Sequence, residues 1–277
     1  MSTQPLVHPA GMHALTHIIA DLPQSLLIAG PEGVGLSTLG EYIAHSTGAT
    51  TIRVLPEKDE KIDIEKGILS VEVIRRLYDQ TKSLRSDHMI VIIDYAERMA
   101  VAAQNAFLKL LEEPSQHTHF MLLSHAPDSL LPTVLSRVVR YDVRPLSTKQ
   151  TNDFLDKLGV HDDKKRTQLL YMAHGLPAEL HRLTHDDHYF EVRSHRMRDA
   201  RTLLQGGLYD KLKIAHSYKD NRENALLLLN DAMYMIQRSI SDNPSEQLIK
   251  HIDSVLTAHQ KIAANGNIRL CLARLVL

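Results

Sequence analysis

Between residues 25 and 143, short apolar runs alternate with longer segments whose apolar side chains recur every three or four positions. The short runs have the length of β-strands and lie at residues 25–29, 51–55, 89–93, 119–123 and 138–143. The run at 89–93 is continuous and ends at Asp94, which is typical of a parallel strand covered on both faces. The alternation predicts an α/β domain in which helices flank a mostly parallel sheet.

Helical spacing fills the gaps between these runs. Residues 100–113 place Ala103, Phe107 and Leu110 on one face, and Pro114 ends the next turn. Residues 56–66 are charged and contain few apolar side chains, so we predict an exposed loop there.

After Pro145 the strand signals disappear. Helices are predicted at residues 148–158, 164–174 and 178–183, a polar linker at 185–188, and a helical block from 190 onward. We therefore expect an α/β domain (1–145), an all-α lid (146–187) and an all-α C-terminal domain (188–277).

Composition narrows the class of protein. The 277 residues carry 32 Lys and Arg against 33 Asp and Glu. A net charge near zero argues against a chain that coats nucleic acid by itself. The single cysteine, Cys271, excludes a disulfide framework. The first residues lack a charged-then-apolar leader pattern, and no apolar stretch is long enough for a bilayer, so we expect a cytoplasmic protein with no membrane contact.

The candidate chemistry begins in the glycine-rich segment after the first strand. It satisfies G-x-x-x-x-G-K-[ST] except at the lysine, where Leu36 stands. In a loop of this kind, backbone N–H groups at a helix N-terminus face an anion, and the lysine reaches the outer phosphates. The candidate nucleotide-binding residues of the loop are Gly30, Gly33, Gly35, Ser37 and Thr38.

Asp94, at the end of the continuous apolar run, is the candidate magnesium-side acid of the same site. Hydrolysing phosphate-loop enzymes have a glutamate next, whereas this chain has Tyr95, which cannot act as a carboxylate base. Glu97 lies two residues further and is a poor substitute. Two parts of the catalytic machinery are therefore altered.

The chain resembles the AAA+ subunits of sliding-clamp loaders. The resemblance rests on the glycine-rich loop, on the segment that begins at Asp94, and on two further sequence motifs. These are N-A-F-L-K-L-L-E-E-P at residues 105–114 and L-P-T-V-L-S-R at 131–137, with Val138 replacing the cysteine of the family's Ser-Arg-Cys motif. The altered loop and Tyr95 look most like the delta-prime subunits of the bacterial DNA polymerase III clamp loader. The hydrolysing gamma/tau subunits of that complex keep the lysine and the glutamate.

The resemblance implies a ring-like pentamer joined through C-terminal collar domains. It also implies that Arg137, with Ser136 beside it, serves as an arginine finger in the ATP site of a neighbouring subunit. The implied partners are the gamma/tau ATPase subunits, the delta subunit and, through the complex, the sliding clamp and primer-template DNA. No cofactor is required on this reading. The family's four-cysteine zinc module has no counterpart because residues 46–88 lack cysteine, and we expect no metal site.

Several alternatives stay open. The chain could be an active AAA+ ATPase with a variant loop, or an inactive AAA+ scaffold outside replication. The loop could still bind ATP or ADP, or be a tight turn with no ligand. Arg137 could be an ordinary surface arginine. The basic run of Arg193, Arg196, Arg198 and Arg201 could contact DNA phosphates, although a solvated face or collar interface is the simpler interpretation.

Overall fold

The computed structural model describes residues 5–83, 88–115, 117–242 and 245–275. The chain divides into two compact units, residues 1–181 and 182–277. The finer predicted division, with boundaries at 145 and 187, stays a prediction.

The first unit contains the strands. In chain order they are β1 (Ser25–Ala29), β2 (Thr50–Val54), β3 (Glu57–Lys58), β4 (Lys61–Ile62), β5 (Met89–Ile93), β6 (Thr118–Ser124) and β7 (Val139–Asp142). Five of them form one parallel sheet in the order β2-β5-β6-β1-β7, and β3 pairs with β4 as an antiparallel hairpin. The predicted parallel α/β architecture is confirmed. The exposed loop predicted at 56–66 is wrong in part, because backbone pairing of Glu57 with Ile62 closes this small hairpin.

The helices of the first unit are α1 (Pro9–Ala20), α2 (Leu36–Ser46), α3 (Val71–Ser83), α4 (Val101–Glu112), α5 (Pro132–Leu135), α6 (Thr148–Lys157), α7 (Asp163–Ala173) and α8 (Pro177–His185), the last of which contains the division between units. The linker predicted at 185–188 is wrong. Asp186 alone separates α8 from the next helix, and its side chain accepts the backbone N–H of Tyr189 as an N-cap.

Alternation along the buried strands creates a core on each face of the sheet. In β5, Val91 and Ile93 belong to the core with α3 and α4, whereas Ile90 and Ile92 belong to the core with α2. Phe107 of α4 meets Phe120 of β6 edge to face, with ring centroids 5.4 Å apart. Burial on both faces explains why the sequence of β5 is apolar throughout.

The second unit is helical. It contains α9 (Asp187–Gln205), α10 (Leu208–Ser217), α11 (Arg222–Asp242), α12 (Glu246–Ala263) and α13 (Ile268–Arg274). Helix α11 packs against α9 and α12. The core of the second unit includes the fully buried side chains of Leu228, Leu229, Ile262 and Leu272. Across the part of the chain that the structure describes, no helix combines the length and apolar character that a bilayer span requires.

Candidate functional site

The predicted strand, glycine-rich turn and helix are all present, in the order β1, loop and α2. Gly30 lies so close to β7 that an added Cβ would be 2.8 Å from the carbonyl oxygen of Val143. Gly33 and Gly35 have φ of +84° and +92°, which favour glycine, and Gly35 is the N-cap of α2. The carbonyl of Gly33 accepts the N–H of Ala178 at 3.0 Å, which ties the loop to the start of α8.

Leu36 occupies the position where the loop motif has lysine. It is the first residue of α2, and its side chain is buried in the core that also contains Leu39 and Ile43. An apolar side chain at this position supplies no charge to an anion in the loop. Ser37 is half-buried in the first turn of α2, and Thr38 is exposed beside it.

The structure brings two predicted residues, Ser37 and Asp94, into direct contact. The Ser37 hydroxyl donates to Oδ2 of Asp94 at 2.7 Å. The same oxygen accepts a hydrogen bond from Arg53 at 2.6 Å, and Oδ1 accepts the N–H of Tyr95 at 3.1 Å. Only 2% of the Asp94 side chain is exposed, so these protein groups provide the environment of the carboxylate.

Sequence reasoning did not identify Arg53. It lies on β2, in register with Ile92 of β5, and its second terminal nitrogen contacts Glu41 of α2 at 2.5 Å. The available signal was an arginine inside an otherwise β-forming run. Its partners lie 12 and 41 residues away along the chain, and only the sheet order places them together.

Tyr95, which stands where hydrolysing enzymes have glutamate, adopts a left-handed backbone with φ of +53°. Its ring meets His125 edge to face, with centroids 5.8 Å apart, and the guanidinium of Arg98 lies 5.3 Å from the ring centroid. Burial and the charges of Asp94 and Glu32 raise the pKa of Tyr95 above its ordinary value of 10. The phenol therefore stays protonated at neutral pH and cannot accept a proton from water.

His125, which sequence reasoning also missed, follows β6 and connects to the loop from the other side. Its Nδ1 lies 2.9 Å from the carbonyl oxygen of Gly30, and a carbonyl can only accept, so Nδ1 carries the proton. Its backbone N–H donates to Glu97 at 3.2 Å. Glu97 thus has a structural partner that fixes the turn after β6.

A cavity of about 470 Å³ lies against the loop within the first unit. Its wall is mostly apolar and includes Val34, Leu39, Val143 and Phe154, with Thr38, Lys157 and His181 among the polar lining residues. This volume is in the range of small-molecule pockets.

Arg137, the predicted finger, lies between α5 and β7, and its contacts are with α4 and α5. One nitrogen pairs with Glu112 at 2.8 Å. Another donates to the carbonyl of Thr133 at 3.0 Å and to the hydroxyl of Ser136 at 3.3 Å. The side chain is 38% exposed, so the guanidinium is accessible.

The basic run of α9 does not form one continuous exposed face. Arg193 and Arg196 are directed inward, where both contact the carboxylate of Asp231 on α11. Arg198 and Arg201 are exposed. The interpretation in which all four arginines contact DNA phosphates is therefore wrong for the two inward residues, because their charges are compensated inside the helical unit.

The sequence profile of a family described as DNA polymerase III, delta subunit, matches residues 12–147, about half of the chain. Replication factor C subunit 3 of Blastobotrys adeninivorans is 25% identical over 271 residues, covering 87% of this chain and 78% of its own length. DNA polymerase III subunit delta' of Bacillus subtilis (strain 168) is 24% identical over 233 residues, covering 75% of this chain and 70% of its own.

A solved structure of a DNA polymerase III gamma subunit-related protein from Thermotoga maritima aligns over 96% of this chain and 97% of its own. The TM-score is 0.53 and the sequence identity 20%. At this identity the likeness concerns the fold alone.

Proposed function

We infer that this chain is a clamp-loader-type AAA+ protein, as its similarity to such subunits supports, and we propose that it acts as a delta-prime-type subunit of a DNA polymerase III clamp loader. On this proposal it hydrolyses no ATP itself. It lends Arg137 to the ATP site of a neighbouring subunit during DNA replication. Its partners are then the gamma/tau ATPase subunits and the delta subunit, and it meets the sliding clamp and primer-template DNA through the complex.

A contrast between two sites carries the proposal. The lysine position of the loop holds the buried Leu36, whereas Arg137 keeps an accessible guanidinium. A loop without its lysine lacks the charge that reaches the outer phosphates. An accessible arginine can still stabilise charge that develops in another subunit's site.

Tyr95 supports the same proposal. A tyrosine is a neutral phenol at neutral pH, and the raised pKa of Tyr95 takes it further from ionisation, at the position from which a glutamate would polarise the attacking water. No cofactor is required for this role. Whether the apolar cavity beside the loop accepts ATP or ADP without hydrolysis can be measured separately by equilibrium dialysis of labelled nucleotide.

The geometry of Arg137 is compatible with action in trans. Its only ion pair among the described residues is with the half-exposed Glu112, and exposed pairs typically contribute about 0.2–1 kcal/mol. The guanidinium can therefore leave Glu112 at small cost when a phosphate group of a neighbour approaches. Ser136, which accepts one of its hydrogen bonds, keeps the side chain near the end of α5.

The proposal is tested by ATPase measurements on the chain alone and on its mixture with the gamma/tau subunits and delta. We expect background turnover for the chain alone and a raised rate for the mixture. Arg137→Ala should remove most of that gain, because an arginine finger contributes on the order of 10³-fold in phosphoryl transfer at its site. Arg140→Ala is the matched control, since Arg140 is an equally exposed arginine on the adjacent β7.

The other functions give different results. Steady-state turnover by the isolated chain that Asp94→Ala abolishes would identify an ATPase in its own right. Failure to co-purify with the gamma/tau subunits would identify a scaffold outside replication. A complex that forms normally, with the same rate for wild type and Arg137→Ala, would remove the finger role while leaving the subunit in the assembly.

A further inference from the structure

The buried carboxylate at the end of β5 already accepts hydrogen bonds from three protein groups. One oxygen of Asp94 accepts from both Ser37 and Arg53, and the other accepts the N–H of Tyr95. An opposite charge stabilises an ionised carboxylate that is 98% buried, because isolated burial of the ionised form is very unfavourable. Here the opposite charge is the guanidinium of Arg53.

This arrangement does not fit the ion that such a site holds in phosphate-loop NTPases. There the serine of the loop and the strand-end aspartate hold Mg²⁺, which bridges the phosphates. In this chain the Ser37 hydroxyl donates its proton to Asp94, and Arg53 lies 2.6 Å from the same oxygen. A guanidinium thus already contacts the carboxylate that would face a divalent cation.

We propose that Arg53 is a built-in substitute for the divalent cation: it neutralises Asp94, joins it to Glu41, and keeps divalent metal ions out of the loop. An arginine suits this task because its planar group presents donors in a fixed fork and is always charged. Its two terminal nitrogens use that fork, one on Asp94 and one on Glu41.

The backbone fixes Arg53 in this position. The N–H of Asp94 donates to the carbonyl of Val54 at 3.0 Å, so the residue after β5 is bound to the residue after Arg53. Parallel pairing of β2 with β5 continues back from there through Arg53 and Ile92. Glu41 comes from α2, the helix that the loop opens. One guanidinium therefore connects the edge strand β2, the end of the neighbouring strand β5 and the loop helix α2.

The proposed role of Arg53 rests on the proposed non-hydrolysing function in one respect. Both require a loop that works without a bound metal–nucleotide complex. The role of Arg53 does not involve Arg137 or a partner subunit. Its test therefore uses the chain alone, and the finger experiment can fail while this one succeeds, or the reverse.

The experiment measures binding of Mn²⁺ alone, followed by the loss of the free-ion electron paramagnetic resonance signal. Arg53→Gln removes the charge and leaves the Asp94 carboxylate in contact with the Ser37 hydroxyl, with the half-exposed Glu41 carboxylate on the adjacent α2. These are oxygen ligands of the kind that Mg²⁺ and Mn²⁺ prefer. We expect Arg53→Gln to bind Mn²⁺ at least about tenfold more tightly than wild type, since a nearby positive charge is lost. Adding Asp94→Asn should abolish that gain.

Arg140→Gln is the matched control, because it removes an exposed arginine from β7 and should leave Mn²⁺ binding as in wild type. The proposal is supported equally if Arg53→Gln folds only when Mn²⁺ is added and the double variant Arg53→Gln/Asp94→Asn gains no structure from Mn²⁺. Circular dichroism with and without the ion gives that result.

Two outcomes would overturn the proposal. One is an Arg53→Gln protein that folds and binds Mn²⁺ no better than wild type. The other is a larger increase of the unfolding temperature by Mg²⁺ in the wild-type chain than in Asp94→Asn. That result would mean that a metal ion already binds at Asp94 beside Arg53.

Discussion

The pairing of Arg137 with Glu112 allows a quantitative prediction about the proposed finger role. In this structure the guanidinium is held 2.8 Å from a carboxylate of its own chain, at the end of α4. A finger must leave that carboxylate before it can reach a neighbour's phosphate. Glu112→Gln removes the opposing charge and keeps the size of the side chain, so it should release Arg137.

The size of the effect follows from exposure. The side chains of Arg137 and Glu112 are 38% and 50% exposed, which places the pair among surface ion pairs. Such pairs contribute up to about 1 kcal/mol, which corresponds to about a fivefold change in an equilibrium constant. A finger that is free for only part of the time lowers the apparent affinity by that fraction. Glu112→Gln should therefore reduce the concentration for half-maximal stimulation by up to about fivefold.

The assay titrates wild type and Glu112→Gln into a fixed amount of the partner ATPase and measures the rate of phosphate release. Glu113→Gln is the matched control, because it removes the same charge at the next, also exposed, residue. Thermal unfolding should differ little among the three proteins. The reasoning is refuted if Glu112→Gln and Glu113→Gln behave alike, or if Glu112→Gln weakens stimulation, since the carboxylate would then orient the guanidinium for action.

Three further predictions concern stability. Asp231→Asn should cost about 3–5 kcal/mol in denaturant unfolding, because it leaves two inward arginines without their carboxylate, whereas Asp220→Asn, at an exposed position, should change little. Gly30→Ala should cost about 1–3 kcal/mol, because its Cβ would meet the backbone of β7; an unchanged unfolding midpoint would contradict the close approach. Burial lowers the pKa of His259, so the unfolded state takes up a proton first as pH falls below about 6.5, and stability should decrease there. His259→Gln should flatten that decrease relative to wild type, and equal slopes would refute it.

Local patterns predicted the sheet well because burial on both faces leaves a strong signal. The predicted bounds of β1 and β5 coincide with those observed, and the predicted bounds of β2, β6 and β7 differ by one residue at each end. The phosphate-loop interpretation also placed Ser37 and Asp94 at one site, because such sites combine the loop serine with an aspartate at the end of another strand. The hairpin at β3 and β4 was missed, because two-residue strands carry no periodicity.

Arg53 could not be assigned to the site in this way. Its contact with Asp94 depends on β2 lying beside β5, and a sequence does not state which parallel strands are neighbours. The inward arginines are different, because a signal was present. Arg196, Ala200 and Leu203 follow helical spacing and are all buried, so the arginine lies on the apolar face of α9.

Burial also decides which arginine of the first unit can act outside it. Arg53 and Arg137 each form ion pairs of similar length, but the carboxylate of Asp94 is 2% exposed and that of Glu112 is 50% exposed. Moving Arg53 would leave an uncompensated charge in the core, at a cost of about 3–5 kcal/mol. Moving Arg137 returns Glu112 to water, at a cost of at most about 1 kcal/mol. The two arginine side chains are almost equally exposed, at 37% and 38%, so the burial of the partner carboxylate decides which of them can move. Of the two, Arg137 is therefore the one suited to enter a neighbour's site.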